Sequence, residues 1–356
     1  MKEKYHRPQI EEVKLDFDKL AEVREKSPYF RWIKDFKKEF PKAGVFLVGG
    51  SVRDIILNRS SKDYDFIVRG VSAAHLKNFL ATHGRVDLTG STFGVFKFRG
   101  QGFDHEIDIA LPRREQAGAS GGYRDVETQS DPEMPIEGDL GRRDFTVNAM
   151  AWDSESGQVI DPWKGVLDLK SRVIRAVGDP SARFGEDYSR MLRALRQAAQ
   201  FNFSIEEKTL SAIKELIGKI NASAPGGKEE QRLVPYEVIS REFLKGFVSD
   251  PVRTIDLWAE TGALKEVFPE ILELKKCAQS PDYHSEGDVF THSRLALEKT
   301  RSPEFKKYFP EAVSARALVA ILFHDIGKPE TAKKEKDSAR PGGFHISFHG
   351  HEKVGA

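Results

Sequence analysis

Residues Phe46–Val68 read FLVGGSVRDIILNRSSKDYDFIV. The apolar run Phe46–Val48 predicts a buried strand ending in two glycines, and SVRDIILN predicts a short helix. DYDFIV predicts a second strand, in which Asp63 and Asp65, two apart, face the same side. Paired like charges repel unless a cation lies between them, and a divalent ion with oxygen ligands, Mg²⁺ first among them, suits two carboxylates. Gly49 and Gly50 precede a helix that Ser51 could cap, with Asp54 three residues on, and leave backbone N–H groups suited to a phosphate. The structural alternatives are a glycine pair needed only for the tight turn and a solvated acidic strand end.

Working outward, VSAAHLKNFLATHG (71–84) has helical spacing and closes on Gly84. GVFKFRG (94–100) and DHEIDIAL (104–111) predict two strands joined at Gly100–Gly102, an antiparallel pair that makes the sheet mixed. DHEIDIAL places Glu106 and Asp108 on one face and Ile107 and Ile109 on the other. Either acid could complete the carboxylate set that two-metal attack on phosphorus requires. The stretch Arg113–Gly141, rich in Gly, Ser, Asp and Pro, is expected to be a long loop. From about Leu169 helical patterns dominate, with a break at Gly226–Gly227.

The chain has 356 residues, enough for two or three domains. Its 39% hydrophobic and 31% charged residues place it among soluble globular proteins. A net charge of +1 gives no whole-molecule signal for nucleic acid, so an RNA surface would be a local basic patch. Cys277 is the only cysteine, which excludes a disulfide framework and a Cys-rich zinc site. No run approaches the roughly 18 apolar residues of a membrane span, and the N-terminus lacks a signal-peptide core. A cytoplasmic protein without membrane partners is expected. Oligomeric state is not written in these patterns.

GGSVRD (49–54) followed by KDYD (62–65) resembles the active-site signature of the class II tRNA nucleotidyltransferase and bacterial poly(A) polymerase family. GRRDFTVNAMAWD (141–153) is similar to the family's second motif, and residues 161–203 continue through its third and fourth. The likeness runs from about Val45 to Phe203 and loosens through helices to about Ile271. It implies an α+β fold with a mixed-sheet, polymerase-beta-like nucleotidyltransferase head at 26–168, after an N-terminal extension at 1–25. An α-helical neck and body at 169–280 would follow, for base selection and RNA binding.

The resemblance implies roles residue by residue. Asp63 and Asp65 would hold the catalytic metals, with Asp108 a better third acid than Glu106. Gly49, Gly50 and Arg53 would contact the triphosphate, although Arg53 could instead pair with Asp54 or Asp65. In RRDFTVNAM, Phe145, Val147 and Met150 are core candidates, while Arg143, Asp144 and Asn148 would bind ribose and phosphates. An amphipathic helix with a solvated arginine face is the alternative there. In EDYSR, Asp187 and Arg190 are expected to share a helical face and offer an acceptor and donors to the base edge of CTP or ATP. Glu186 would orient them, and a plain i,i+3 ion pair is the alternative. Arg193 and Arg196 would extend the basic stripe toward triphosphate or an RNA end, some of it merely solvated.

His292, His324–Asp325 and His351 form a spaced series that resembles the HD phosphohydrolase superfamily. It implies a second divalent metal within a partial, all-α HD domain at 281–356. His345 and His349 are rivals for the third histidine. The chain ends at Ala356, before a downstream aspartate that the superfamily carries.

The expected function is addition of C and A residues to the tRNA 3′ end from CTP and ATP, releasing pyrophosphate. A-only, CC-only and poly(A)-synthesising enzymes share these motifs. A metal phosphohydrolase or a non-catalytic RNA-binding module are the rivals from other classes.

Overall fold

A computed structural model describes residues 13–61, 63–88, 94–118, 120, 122–123, 125–223, 232–280, 284–338 and 343–356. The chain divides into two compact units, residues 1–187 with 204–209, and residues 188–203 with 210–356. The division thus falls after Asp187, downstream of the boundary expected near residue 168. The break expected at Gly226–Gly227 lies outside the described residues.

The first unit opens with α1 (Asp18–Lys26) and α2 (Arg31–Glu39). Leu20 of α1 is fully buried and Arg24 donates to the Ser154 carbonyl at 2.6 Å, so the expected N-terminal extension contributes a docked helix to this unit. Next come β1 (Gly44–Val48), α3 (Gly50–Ile56), β2 (Asp65–Arg69), α4 (Ala73–His83), β3 (Gly84–Leu88), β4 (Val95–Gly100) and β5 (Ile107–Ala110). The strands β6 (Arg113–Ala117) and β7 (Val126–Ser130), then α5 (Ile136–Gly141), occupy most of the stretch expected to be loop. They form an antiparallel pair, and their polar, alternating composition hid them from an apolar-run reading. Then come β8 (Ala151–Asp153), β9 (Val159–Ile160), α6 (Gly165–Ser171), β10 (Val173–Ile174) and α7 (Pro180–Glu186). Strand β11 (Ser204–Ile205) pairs in parallel with β10.

Seven strands form one mixed sheet in the order β3-β4-β5-β2-β1-β8-β9. Only the β2–β5 pair within it is parallel, and it puts Asp65 opposite Asp108. One face is aromatic: Phe66 meets Phe30 and Trp32 at ring separations of 5.1 and 5.7 Å. On the opposite face Phe46, Val48 and Ile67 pack with Ile136, Leu140, Ala149, Ala151 and Val177. Asp65 and Asp108 share the face of Val48 and Ile67, because side chains alternate along each strand.

The second unit contains α8 (Ser189–Phe201), α9 (Glu207–Leu216, from residue 210 on), α10 (Tyr236–Ser249), α11 (Pro251–Thr261), α12 (Ala263–Val267) and α13 (Pro269–Glu273). Phe243 of α10 stacks on Phe247 and meets Trp258 of α11 at 4.8 Å. After these come α14 (Val289–Lys299), α15 (Pro303–Tyr308), α16 (Ala315–Phe323), α17 (Lys328–Thr331), β12 (Lys333–Lys336), β13 (Phe344–Ser347) and α18 (His351–Val354). The antiparallel β12–β13 hairpin corrects the expectation that this segment is all helical.

EDYSRMLRALR does not form one helix. Helix α7 ends at Glu186, Asp187 is extended at φ −159° and ψ 105°, and α8 starts at Ser189. Asp187 and Arg190 therefore do not share a helical face. Gly185, a poor helix former, lies in the last turn of α7 just before the chain straightens.

Candidate active site

The acidic centre is built by the strand register. Asp65 is the first residue of β2, and Asp63 precedes the strand and is exposed. Tyr64 between them is buried against Tyr29 and Phe30, which turns the flanking carboxylates the other way. Asp108 stands opposite Asp65, whereas Glu106 lies exposed ahead of β5. Lys97, opposite Asp108 on β4, donates to its Oδ1 at 2.6 Å. Burial pushes the Asp65 carboxyl up to about 6; Arg143 opposes the rise, and Asp108 and Asp63 add to it. A buried carboxylate facing two others is a donor set that fits a hard divalent cation.

The glycine turn faces this centre. Gly49 has φ +76° and ψ −139°, a region nearly reserved for glycine. A Cβ there would stand 2.5 Å from Arg143 Nη1 and 3.9 Å from Asp65 Oδ2. The missing side chain is what lets the Arg143 guanidinium approach the turn. Gly49 occupies the cap position of α3 with no side-chain cap, and Ser51 instead donates to the Val48 carbonyl at 3.2 Å.

Arg53 is buried and adopts the ion pair that stood as its alternative. Its Nε and Nη2 reach the two Asp54 oxygens at 2.9 and 3.0 Å, and Nη1 donates to Asn148 Oδ1. Asn148 Nδ2 in turn donates to Asp144 Oδ1 at 2.9 Å, which also accepts from the Phe145 N–H. RRDFTVNAM is not a long amphipathic helix but a 3₁₀ turn at Thr146–Asn148, with Phe145, Val147 and Met150 fully buried.

Arg142 and Arg143 both meet Asp139, a fully buried residue that the sequence reading passed over. Arg142 Nε donates to Asp139 Oδ1 at 2.9 Å, and Arg143 Nη2 to Oδ2 at 3.3 Å. The signal was there in the spacing, since Asp139 stands three and four residues before the two arginines on one helical face. Arg183 pins the same segment, donating to the Gly141 and Arg142 carbonyls at 2.7 and 3.0 Å while pairing with Glu186 at 2.9 Å. In the second unit, Arg193 is half-buried on α8. Arg196 is engaged by Glu242 of α10 at 2.6 Å and by Gln200 at 2.7 Å, the structural alternative for a basic stripe.

With the acids, the glycine turn and the RRDFTVNAM segment joined in one unit, the comparisons with known proteins are specific. Residues 45–175 match the poly(A) polymerase head domain. The chain is 34% identical over 312 residues to a multifunctional CCA protein of Neisseria meningitidis, covering 87% of this chain and 65% of that one. It is 36% identical over 291 residues to that of Haemophilus ducreyi, covering 80% and 64%. Residues 45–175 of this chain belong to the poly(A) polymerase head-domain family.

The chain spans about 65% of the length of the curated relatives it matches. A solved CCA-adding enzyme with CTP shares its fold at TM-score 0.58 and 24% identity, covering 88% of this chain and 66% of that one. A tRNA-processing enzyme with CTP matches at TM-score 0.52 and 25% identity, covering 81% and 76%. The α+β architecture expected from the motifs is thus shared with these enzymes. Among the described residues no helix is long and apolar enough to cross a membrane.

A second cluster lies in the C-terminal segment. His292 on α14, His324 just after α16 and His351 at the start of α18 turn their Nε2 atoms to Asp325, at 3.9, 3.1 and 3.5 Å. A Cβ on Gly327 would stand 2.3 Å from the His351 carbonyl oxygen, so glycine is what lets α18 close on this site. Asp325 is buried; desolvation alone would raise its carboxyl, yet His324 and Lys328 hold it well below the ordinary range. Lys328 Nζ lies 2.7 Å from Asp325 and donates to Gln279 at 2.8 Å. Side-chain oxygens and imidazole nitrogens of His292, His324 and Asp325 lie close enough to share one ion. His345 faces Glu335 and Asp337 in the β12–β13 hairpin, apart from these residues. Lys328, His284 and Glu286 belong to this neighbourhood and were not singled out from sequence, because nothing in their spacing announces it.

Proposed function

We propose that this chain is a template-independent RNA nucleotidyltransferase that adds C and A residues to the 3′ end of tRNA from CTP and ATP. The observation that carries the reading is Asp65 directly opposite Asp108, beside a glycine turn approached by Arg143. Asp63, Asp65 and Asp108 would hold Mg²⁺, which when bound activates a hydroxyl and neutralises the leaving charge. The RNA 3′-oxygen forms a bond to the α-phosphorus as the bond to the pyrophosphate oxygen breaks. Arg143 and the Gly49–Gly50 backbone meet the triphosphate, with Arg53 behind them holding Asn148. Asn148, oriented by Arg53 and Asp144, offers its amide to a ribose hydroxyl. On the motif alone, Glu186, Asp187 and Arg190 are assigned to base choice and Arg193 to the phosphate or RNA backbone. The work takes place in the cytoplasm.

The test is extension of tRNA ending at the discriminator base, at C or at CC, with single nucleotides and Mg²⁺. CMP and then AMP incorporation that stops at CCA is expected, while unlimited AMP tailing would instead indicate poly(A) synthesis. An Asp63→Ala, Asp65→Ala double variant that still extends RNA would overturn the metal assignment. Loss of several kcal/mol of metal assistance corresponds to roughly a thousandfold or more in rate.

The converging histidines favour a second reading for the C-terminal segment. His292, His324, Asp325 and His351 would hold a divalent metal in an HD-type centre that acts on phosphoesters. Co²⁺ binding to the full chain that disappears in His324→Ala tests it, and equal binding by both proteins rules it out.

A further inference from the structure

We propose that Glu286 is the positioning residue of the histidine cluster, its carboxylate fixing His292 in the Nδ1–H tautomer with the Nε2 lone pair turned to Asp325. The HSEGDVFTH stretch makes this local. Asp288 caps α14 by accepting from the Thr291 N–H at 2.8 Å, which sets the helix start and puts His292 on its first turn. The turn before the cap brings Glu286 back, so that its Oε1 lies 2.6 Å from His292 Nδ1 and 3.0 Å from His284 Nδ1. The two rings meet edge to face at 4.8 Å, His284 bracing the contact.

An ionised carboxylate can only accept, so both Nδ1 atoms must donate. The neutral His292 ring then carries its lone pair on Nε2, the nitrogen facing Asp325. The Nδ1 atoms of His324 and His351 lie 2.8 Å from the Ile321 and Phe348 carbonyls, and that of His351 also lies 3.6 Å from the Glu352 carboxylate. All three rings therefore turn Nε2 toward Asp325, and that of His324, 3.1 Å from the carboxylate, donates to it in the metal-free chain. The carboxylate behind His292 makes its Nε2 a stronger donor to a cation than a neutral acceptor would. The consequence for metal affinity rests on the HD-type reading above, whereas the tautomer does not.

The test uses the metal-free full chain at about pH 8, above the ordinary imidazole value. Ring ¹⁵N signals of His292, assigned by their loss in His292→Gln, report the tautomer. The wild type is expected to show a protonated Nδ1, Glu286→Leu a mixture, and Glu286→Gln, which keeps an acceptor, the wild-type pattern. Calorimetric Co²⁺ titration is expected to show about 10- to 100-fold weaker binding for Glu286→Leu, with part of it recovered in Glu286→Gln. An unchanged tautomer in a folded Glu286→Leu protein overturns the proposal, whatever the affinity does. If the wild type binds no Co²⁺ that His324→Ala abolishes, the metal reading fails, and the ring signals still decide the role of Glu286.

Discussion

Asp65 and Asp108 stand opposite each other on parallel strands, and Lys97 approaches Asp108 from the next strand at 2.6 Å. Two acids are thus brought together with one cationic side chain on one of them. The lysine ammonium is raised in pKa by that contact, and it pairs with Asp108, while Asp65 faces burial and its like-charged neighbours with Arg143 as the main opposing charge.

This has a pH signature. Burial and neighbouring carboxylates lift Asp65 to about 6 from an ordinary 3.8. The folded state then binds this proton more tightly than the unfolded chain. Its contribution favours folding below the unfolded value and is lost as pH rises through about 6. In metal-free protein, Asp65→Asn is expected to raise Tm at pH 7.5 but not near pH 4, and Mg²⁺ to stabilise the wild type more at pH 7.5 than at pH 5. Differential scanning fluorimetry at these pH values decides it. A shift that ignores pH contradicts the buried-charge account.

Gly49 is expected to be intolerant of any side chain. Gly49→Ala must adopt a backbone region that costs on the order of 1–3 kcal/mol, and its Cβ must displace Arg143, 2.5 Å away. Gly50 has an ordinary helical backbone, and a Cβ there meets Arg53 Nη2 at 3.3 Å. Urea unfolding should therefore rank Gly49→Ala well below Gly50→Ala. Equal midpoints would refute the close approach.

Arg183 ties α7 to the segment that carries Arg142 and Arg143. Arg183→Ala is expected to cost about 2–3 kcal/mol, since several charge-assisted hydrogen bonds are lost together. Arg183→Lys should rescue little, because a single ammonium cannot span the carbonyls of Gly141 and Arg142 and the Glu186 carboxylate at once. Denaturant titration of the three proteins measures this, and full rescue by lysine would show that only the charge matters.

The buried Asp325–Lys328 pair makes another demand. Asp325→Ala should destabilise by about 3–5 kcal/mol by leaving Lys328 buried without its counter-charge. Adding Lys328→Met should recover much of that. A double variant no more stable than the single one would mean that the pair contributes little.

Much of the centre was legible because its signals are local. Period-two alternation put Asp63 and Asp65 on one side, and the glycine pair marked the turn before α3. Ordered motifs gave the family resemblance, and the spaced histidines marked residues that gather at Asp325. The misreadings were also local: Gly185 and the extended Asp187 divide what spacing alone presents as one helix, and polar strands β6 and β7 resemble loop.

The sequence by itself determined which residue types were available and which side of each strand they take, since strand and helix periods follow from backbone geometry. Tertiary structure decided which of them meet. Asp108 rather than Glu106 faces Asp65 because of a parallel register between strands some forty residues apart, and no spacing encodes that register. Asp139 takes two arginines and Lys328 takes Asp325 because burial makes an unpaired charge too costly to leave alone, while Glu286 reaches two histidines through the turn ahead of α14. Those partnerships are set by packing, which a linear pattern does not contain.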